Sequence, residues 1–398
     1  MVKYNKYLSA VAIITLFILA ILSFIGGGLQ SRALWVVVPS AFVLSFLAFP
    51  QKNLNNVYFK YMIFLYLWIA FTYIFAFNQD VAARQLRTIV GCFAFISTYL
   101  LLTKEEKNIP WLYLVYLVYY IGMLNYANTN IITEDYDYTE DRLDIRNGLG
   151  ANTFAYFTFF ATFIIYILDE CFTDKPRLKK IFRILFILTP LLSFVIAILT
   201  ASRQVFVIQI PIIIGLLYIR YLRGASSNRR VIFFIVAFLV LIVSLSSLVD
   251  IYSGSLLQSR NEKDIADDSR MRLMSKAIMV GLEHPIVGVG PGNFGKYLGQ
   301  SAFSHCTYTE LFANSGLPAV ILFIVLLWTF VARQWRRYKR TRDGNFLAFW
   351  LFGVFYVIDN FFYVYYAAPW LMAIFFLVAM HSEQYYKKYY SRNIKLQI

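Results

Sequence analysis

Apolar runs recur along nearly the whole chain, separated by short polar or charged breaks. A hydrocarbon core about 30 Å thick is crossed by roughly 20 largely apolar residues in an α-helix. Stretches of that kind fall at 8–28, 33–49, 57–77, 84–102, 110–127, 151–171, 184–200, 204–221, 231–249, 315–332, 346–364 and 368–381, with the second and the last short. The pattern predicts an all-α polytopic membrane protein with about 12 transmembrane helices. Residues 1–398 form a single integral membrane domain, with no stretch left over for a separate soluble one. The first apolar run is too long for a removable signal peptide and lacks a small-residue cleavage site, so it is expected to stay as an anchor.

Two breaks are long: an acidic one at 128–150, containing "EDYDYTEDRLD", and a larger one at 250–314 between spans 9 and 10. Structureless loops of more than about 12–15 residues are uncommon, and the second carries a helical pattern of its own. In "SRMRLMSKAIMVGLEHP", Met271, Met274, Ile278 and Leu282 recur at three- or four-residue steps, while Arg272, Lys276 and Glu283 share another stripe. This predicts an amphipathic helix lying on, or packed into, one mouth of the bundle, stopped by Pro285.

Charge orients the bundle. Lys and Arg accumulate in the cytoplasmic loops of multispanning proteins. With both termini inside, most of the 37 basic residues fall on the inner side and most of the 22 acidic ones outside, which puts 128–150 and 250–314 on the extracytoplasmic face. The composition agrees: 60% of residues are hydrophobic and 15% charged. The net charge of +15 is then chiefly a topology signal with some attraction to anionic lipid heads, and no nucleic-acid partner is expected. Three cysteines, Cys92, Cys171 and Cys306, set no disulfide framework.

Candidate chemistry gathers in the larger outer loop. "HPIVGVGPGNFG", residues 284–295, contains Gly290, Gly292 and Gly295 at dinucleotide-loop spacing. A dinucleotide fingerprint needs a strand before it and a helix opening at its glycines within a βαβ unit. Here the preceding segment reads as helix and Pro291 fills a variable position, so a glycine-rich turn permitting close backbone approach is the better reading. "SHCTYTELFANSGLP", at 304–318, places His305 and Glu310 just before an apolar span. A metal site from Glu283, His284, His305 and Glu310 matches no standard ligand spacing, and no metal or cofactor is expected. Arginines on the outer side run against the inside bias: Arg84 and Arg87 on one helix face, Arg142 and Arg146 in the acidic loop, Arg203 in "LTASRQV", and Arg270 and Arg272 at the start of the amphipathic helix. Each can snorkel to lipid phosphates or pair with acids. Several converging on one mouth would suit a diphosphate, whose oxygens match the forked guanidinium donors.

The order of these elements resembles the O-antigen ligase and Wzy-type polysaccharide polymerase superfamily. The resemblance is carried by "TASR" opening a span, "SRMRLM" and "EHPIVGVGPGNF" in a large late outer loop, and "SHCTYTELFANSGLPA" leading into the next span, with "RNGLGANTFAYF" ahead of a middle one. It covers nearly the whole chain in topology and is concentrated in motifs between about 200 and 318. It implies a bacterial plasma-membrane glycosyltransferase, both termini cytoplasmic, using undecaprenyl-diphosphate-linked glycan without metal or nucleotide sugar. His305 takes the place of the catalytic histidine, and Arg203 with Arg270 or Arg272 the places of the diphosphate-binding arginines; Cys306 stands where the family often has Asn. A chain-length regulator and a flippase are further partners of such enzymes. On chemical grounds Arg84 and Arg87 join the arginine set, Glu310 could orient His305 or bind sugar, and Tyr297, Tyr308 and Tyr363 could be sugar platforms.

Within the family, a polymerase transfers glycan to the sugar hydroxyl of another lipid-linked repeat unit, in O-antigen, capsule or exopolysaccharide synthesis, and is the favoured reading. A ligase transfers it to lipid A-core. Outside the family the rival is a lipid-linked oligosaccharide flippase or transporter, which should hold ionisable residues near the bilayer midplane. Here the span centres are nearly free of charge, with Asp359 and Asn360 the main exceptions.

Overall fold

The computed structural model describes residues 2–23, 29–49, 56–130, 151–172, 174–200, 202, 208–228, 231–232, 235, 269–300 and 302–395. Every regular element among them is helical. In chain order these are α1 (Val2–Leu22), α2 (Leu29–Ala48), α3 (Val57–Phe71), α4 (Gln79–Leu102), α5 (Ile109–Asn130), α6 (Ala151–Cys171), α7 (Pro176–Leu199), α8 (Ile210–Leu217), α9 (Ser269–Glu283), α10 (Phe294–Tyr297), α11 (Thr307–Thr341), α12 (Gly344–Asp359) and α13 (Pro369–Lys395). Most of the expected span at 231–249 and of the acidic break at 128–150 lies outside the described residues, as does the first part of the 250–314 loop.

Among the described residues, seven helical segments are long and apolar enough to cross a membrane: Asn5–Leu22, Val57–Phe75, Gln79–Leu102, Glu106–Thr129, Phe154–Cys171, Pro176–Leu199 and Thr307–Thr341. Three expected spans fall on shorter apolar helices, at Val36–Ala48, Ile210–Leu222 and Gly344–Asp359, and the expected 368–381 lies within α13.

Helix α6 is the pillar of the bundle, with every residue from Phe154 to Asp169 buried. A helix that is apolar all round has no face to give to lipid and sits where other helices surround it. Its rings pack against α12, with Phe159 over Phe355 and Phe163 beside Phe352 at 4.7 Å, and against α5, where Phe157 stacks with Tyr116 at 5.4 Å. Helix α13 joins the same core through Trp370, stacked on Tyr119 at 4.1 Å. Peripheral helices instead expose large apolar side chains such as Phe64, Leu67, Val90, Ile187, Leu191 and Trp328. Exposure of that kind on many faces is stable only when the surrounding solvent is hydrocarbon.

The two ends of the bundle differ in chemistry. At the end assigned to the inside by charge, ion pairs tie the helices together. Arg220 reaches Glu170 and, at 3.5 Å, Asp169, while Arg337 binds Glu383 at 2.6 Å. At the opposite end the polar groups belong to loops and helix starts, and there the candidate site lies.

The amphipathic helix expected in the long loop is α9, and it packs on α11 by one face. Small residues Ala277, Val280 and Gly281 are buried against α11, with Gly281 under the Phe312 ring. Of the apolar stripe Met271, Met274, Ile278 and Leu282, Met274 is half-buried and the other three are exposed. Close helix packing selects the small face, which leaves the bulky apolar stripe to the membrane interface.

Candidate functional site

Helix α11 is two helices joined at a fracture. Gly316 is non-helical, with φ 75° and ψ −179°, and Pro318 follows two residues later. At 1.5 Å per residue the leg from Leu317 to Thr341 is roughly 37 Å long and can cross a bilayer by itself. The leg from Thr307 to Ser315 is a short separate piece, and it carries the candidate residues.

A fracture inside an apolar helix frees backbone groups that must find partners within the protein. The glycine-rich loop supplies them. The N–H of Val289 donates to the Ala313 carbonyl at 2.9 Å, and the Pro285 carbonyl accepts from the N–H of Leu317 at 2.8 Å. Trp68 of α3 donates its indole N–H to the Ser315 carbonyl at 2.8 Å. The approach is backbone to backbone. A Cβ at Gly316 would collide with the Ile286 carbonyl oxygen, and one at Gly288 with the Asn314 carbonyl carbon; both residues have φ in the left-handed region. The loop also docks on the start of α4, where Phe77 N–H donates to the Val289 carbonyl at 2.9 Å and Asn78 N–H to Asn293 Oδ1 at 3.0 Å. The segment before the loop is helix α9, and the helix after it spans only Phe294–Tyr297, so the glycines serve helix docking and make no dinucleotide cradle.

Two side chains one turn apart on the short leg connect this loop to the histidine. Asn314 accepts from the N–H of Phe294 at 2.8 Å and donates to Glu310 Oε1 at 2.8 Å. Glu310 Oε2 accepts from the N–H of Ser304 at 2.6 Å. Ser304 Oγ then donates to the Cys306 carbonyl at 2.9 Å, and Thr309 Oγ1 to Ser304 Oγ at 3.0 Å. Between Ser304 and Cys306 stands His305, held at φ 60° and half-buried, its ring 4.1 Å from that of Phe303. Positive φ is uncommon outside glycine, and His is among the residue types that tolerate it. Cys306 is buried at the N-cap position of α11, and its side chain makes no capping bond. Thr307 completes the corner, its N–H donating to the Asn360 carbonyl at 2.8 Å and its hydroxyl to the Tyr363 carbonyl at 2.8 Å.

Glu310 is buried, and both of its oxygens are engaged. Of the two roles open from the sequence, this placement supports orienting His305, through Ser304. Replacing Glu310 by Ala leaves the Ser304 N–H and the Asn314 amide without an acceptor, at about 1–3 kcal/mol for each buried donor left unpaired. Glu310→Gln, which keeps an acceptor for only one of them, is expected to destabilise less. Thermal unfolding of the purified variants in detergent orders the three proteins, and equal midpoints for all three would refute the relay.

The remaining candidates separate. Arg84 is exposed and lines a polar cavity of about 430 Å³ with Gly292, Lys296, Gln300 and Ala302, three residues before His305. Arg87, one turn on, is exposed and turns its Nε to the Ala83 carbonyl at 3.5 Å. Arg270 and Arg272 stand at the far end of α9 from the glycine loop, roughly 20 Å along its axis, and neither lines that cavity. Arg203 and Arg146 lie outside the described residues. Tyr308 donates its hydroxyl to the Val357 carbonyl at 2.8 Å and packs on Phe361, fastening α11 to α12. Tyr297 donates to Glu283 Oε2 at 3.2 Å and meets Phe77 edge-on at 5.3 Å. That hydrogen bond to a carboxylate raises the Tyr297 phenol above its ordinary range. Of the four residues set aside as a metal site, Glu283 and His284 lie beside Tyr297, and Glu310 binds the Ser304 N–H.

Sequence reasoning passed over Lys296, Gln300, Asn293 and Asn314. The positive-inside argument singles out outer arginines and says nothing of a lysine or of amide side chains. The signal available was the spacing of Glu310 and Asn314, whose i, i+4 separation puts them on one helix face.

No curated protein matches the chain. A family model does, that of the O-antigen ligase, over residues 188–324. The match begins within α7 and ends within the long leg of α11, so it takes in α9, the glycine loop, His305, Glu310 and the fracture. The stretch in which the loop, the relay and the histidine are built together is thus the part of the chain that is similar to the O-antigen ligase family.

Proposed function

We propose that the protein is a metal-independent glycosyltransferase of the bacterial plasma membrane. It moves a glycan from undecaprenyl diphosphate to the sugar hydroxyl of a second lipid-linked repeat unit. The observation that carries this reading is His305, held in a left-handed backbone conformation by a relay from Glu310 within the matched domain. Residues kept in sparsely populated conformations cluster at functional sites.

In the proposed reaction the acceptor hydroxyl attacks the anomeric carbon. A new C–O glycosidic bond forms as the bond from that carbon to the diphosphate oxygen breaks. The hydroxyl proton passes to the His305 imidazole, the side-chain type that most often serves as a general base. The diphosphate departs with the bond's electron pair, and arginines drawn from Arg203, Arg270, Arg272, Arg84 and Arg87 offset its growing charge. Arg203→Ala and Arg270→Ala are each expected to raise the KM for donor about ten-fold, the scale of one lost charge-assisted contact, with Lys only partly restoring it. Unchanged donor kinetics in every variant would make these residues membrane anchors.

One observation favours a second reading, transfer to lipid A-core: the matched family model is that of the ligase. A transporter is supported less, because among the described residues the candidate site groups lie at one end of the bundle. The charged residue within the span of α12, Asp359, is buried and bonded to the Tyr365 hydroxyl. The purified protein, given polyprenyl-diphosphate-linked repeat units and lipid A-core in detergent with a chelator, separates the three readings. Longer lipid-linked chains indicate a polymerase, glycan on lipid A-core a ligase, and no product from either acceptor leaves transport. A deletion strain gives the same division in the cell. Lipid A-core capped by a single repeat marks a lost polymerase, and polymer stranded on undecaprenyl diphosphate a lost ligase.

A further inference from the structure

Helices α11 and α12 form a hairpin with a furrow along one side. Only Arg342 and Asp343 separate them in sequence, and Gly353 lets them close, since a Cβ there would strike the Phe330 ring and Val331. The furrow, of about 500 Å³, is lined by Trp328, Ala332, Trp335 and Arg336 of α11 and by Trp350 and Ile358 of α12, with valines between them. Trp328 is 67% exposed and belongs to the stretch 317–332, which has no charged residue, so this part of the furrow opens to hydrocarbon.

The other end is cationic. Trp335 and Trp350 meet there at 5.1 Å, and the Lys339 ammonium lies 5.4 Å from the Trp335 ring centre. Steps of four lead from Ala332 to Arg336 and Arg340, and from Trp335 to Lys339, so all three cations continue the furrowed face of α11. Among the described residues none of the three is ion-paired with an acid, whereas Arg333 and Arg337 share Glu383.

We infer that the furrow holds one anionic phospholipid from the leaflet at the basic end of the bundle. Its phosphate is bound by Arg336 and Lys339, and one acyl chain lies along Trp335, Ala332 and Trp328. Three properties point to this occupant. Along α11, Trp328 is eight residues from Arg336, about 12 Å, close to the roughly 15 Å that one leaflet gives to its chains. The paired tryptophans stand at the cationic end, and tryptophan concentrates at the headgroup boundary. The unpaired cations match an anionic headgroup, which basic pockets between helices can hold. A second copy of this chain docked by the same face would set these cations against their own counterparts, and an uncharged helix would leave them unmatched. The site lies toward the opposite end of α11 from His305 and does not depend on the glycosyl-transfer reading.

The test is native mass spectrometry of the purified full-length protein in detergent, titrated with phosphatidylglycerol or with phosphatidylcholine of the same chains. The unaltered protein should bind one phosphatidylglycerol about ten-fold more tightly than phosphatidylcholine. Arg336→Gln and Lys339→Gln are each expected to weaken that binding about five-fold, the scale of one basic residue near an anionic surface, and Lys339→Arg hardly at all. Ala332→Phe, which fills the furrow and keeps every cation, should weaken it as much. Equal affinity of the unaltered protein for the two lipids overturns the proposal. So does unchanged phosphatidylglycerol affinity in the double Gln variant, in protein that unfolds at the normal temperature. Loss in the Gln variants with none in Ala332→Phe overturns the seating of the chain in the furrow. A dimer mass that Ala332→Phe abolishes would give the face to a second copy instead.

Discussion

Asparagine or alanine in place of His305 is expected to lower glycan transfer by about 10²–10⁴-fold, the usual contribution of a positioned general base. The protein should still accumulate in the membrane. The two replacements differ in an informative way. His305 holds φ 60°, a conformation that Asn tolerates better than Ala does. Loss of activity in His305→Asn at an unchanged unfolding temperature therefore isolates the imidazole from the backbone it sits on. His305→Gly, which accepts positive φ without penalty, extends the series: it should be at least as stable as the Ala variant and equally inactive. Transfer at normal rate in the Asn variant would remove His305 from the chemistry.

Gly316→Ala is expected to be the most damaging single-methyl addition in the described part of the domain. The added carbon meets the Ile286 carbonyl oxygen, which is backbone and cannot turn aside, and φ 75° disfavours any residue with a side chain. Relief requires the glycine loop to leave the fracture, exposing the Ala313 carbonyl and the Leu317 N–H that it satisfies. Two orphaned backbone groups at about 1–3 kcal/mol each, together with the steric conflict, exceed what most single substitutions cost. The expected outcome is a sharp drop in accumulated protein or in unfolding temperature, with transfer lost in whatever survives. Gly288→Ala, facing the same contact from the loop side, should behave alike. Alanine at Gly224, where a Cβ meets nothing within 4 Å, is the matched control and should leave both properties unaltered. Normal stability in Gly316→Ala would mean that the fracture does not depend on the loop.

The helical architecture was legible because the bilayer imposes a coarse, length-based code. The pattern around Phe154–Cys171 or Pro176–Leu199 needs no tertiary knowledge to be read as a crossing helix. What the code omits is the direction a helix faces. In α9 the spacing of Met271, Ile278 and Leu282 identified amphipathicity, yet the buried face is the small one, because packing between helices in lipid rewards close approach and gives bulk no advantage over the hydrocarbon around it. The fracture in α11 was hidden for a related reason. Gly316 and Pro318 open an apolar run, and such a start reads equally as the first turn of a span. Only the carbonyl of Pro285, brought from more than thirty positions earlier in the chain, distinguishes an interruption from a beginning. At the site, His305 and Glu310 were visible as polar residues beside an apolar run, whereas Lys296 entered only when the structure folded α10 against α4.

The splint across the fracture also limits how this domain can be transplanted. Its two halves, Pro285–Val289 and Ala313–Leu317, both lie inside the matched region, so they would travel together in a chimera. Their seat would not. Trp68, Phe77 and Asn78, which complete the hydrogen bonding of the break and the loop, come from α3 and the entry to α4, far upstream of residue 188. A graft of the domain alone would carry its loop and fracture into a host without these partners, and a functional exchange must include residues 57–85 and, for the Thr307 corner beside His305, Asn360 and Tyr363 as discontinuous pieces.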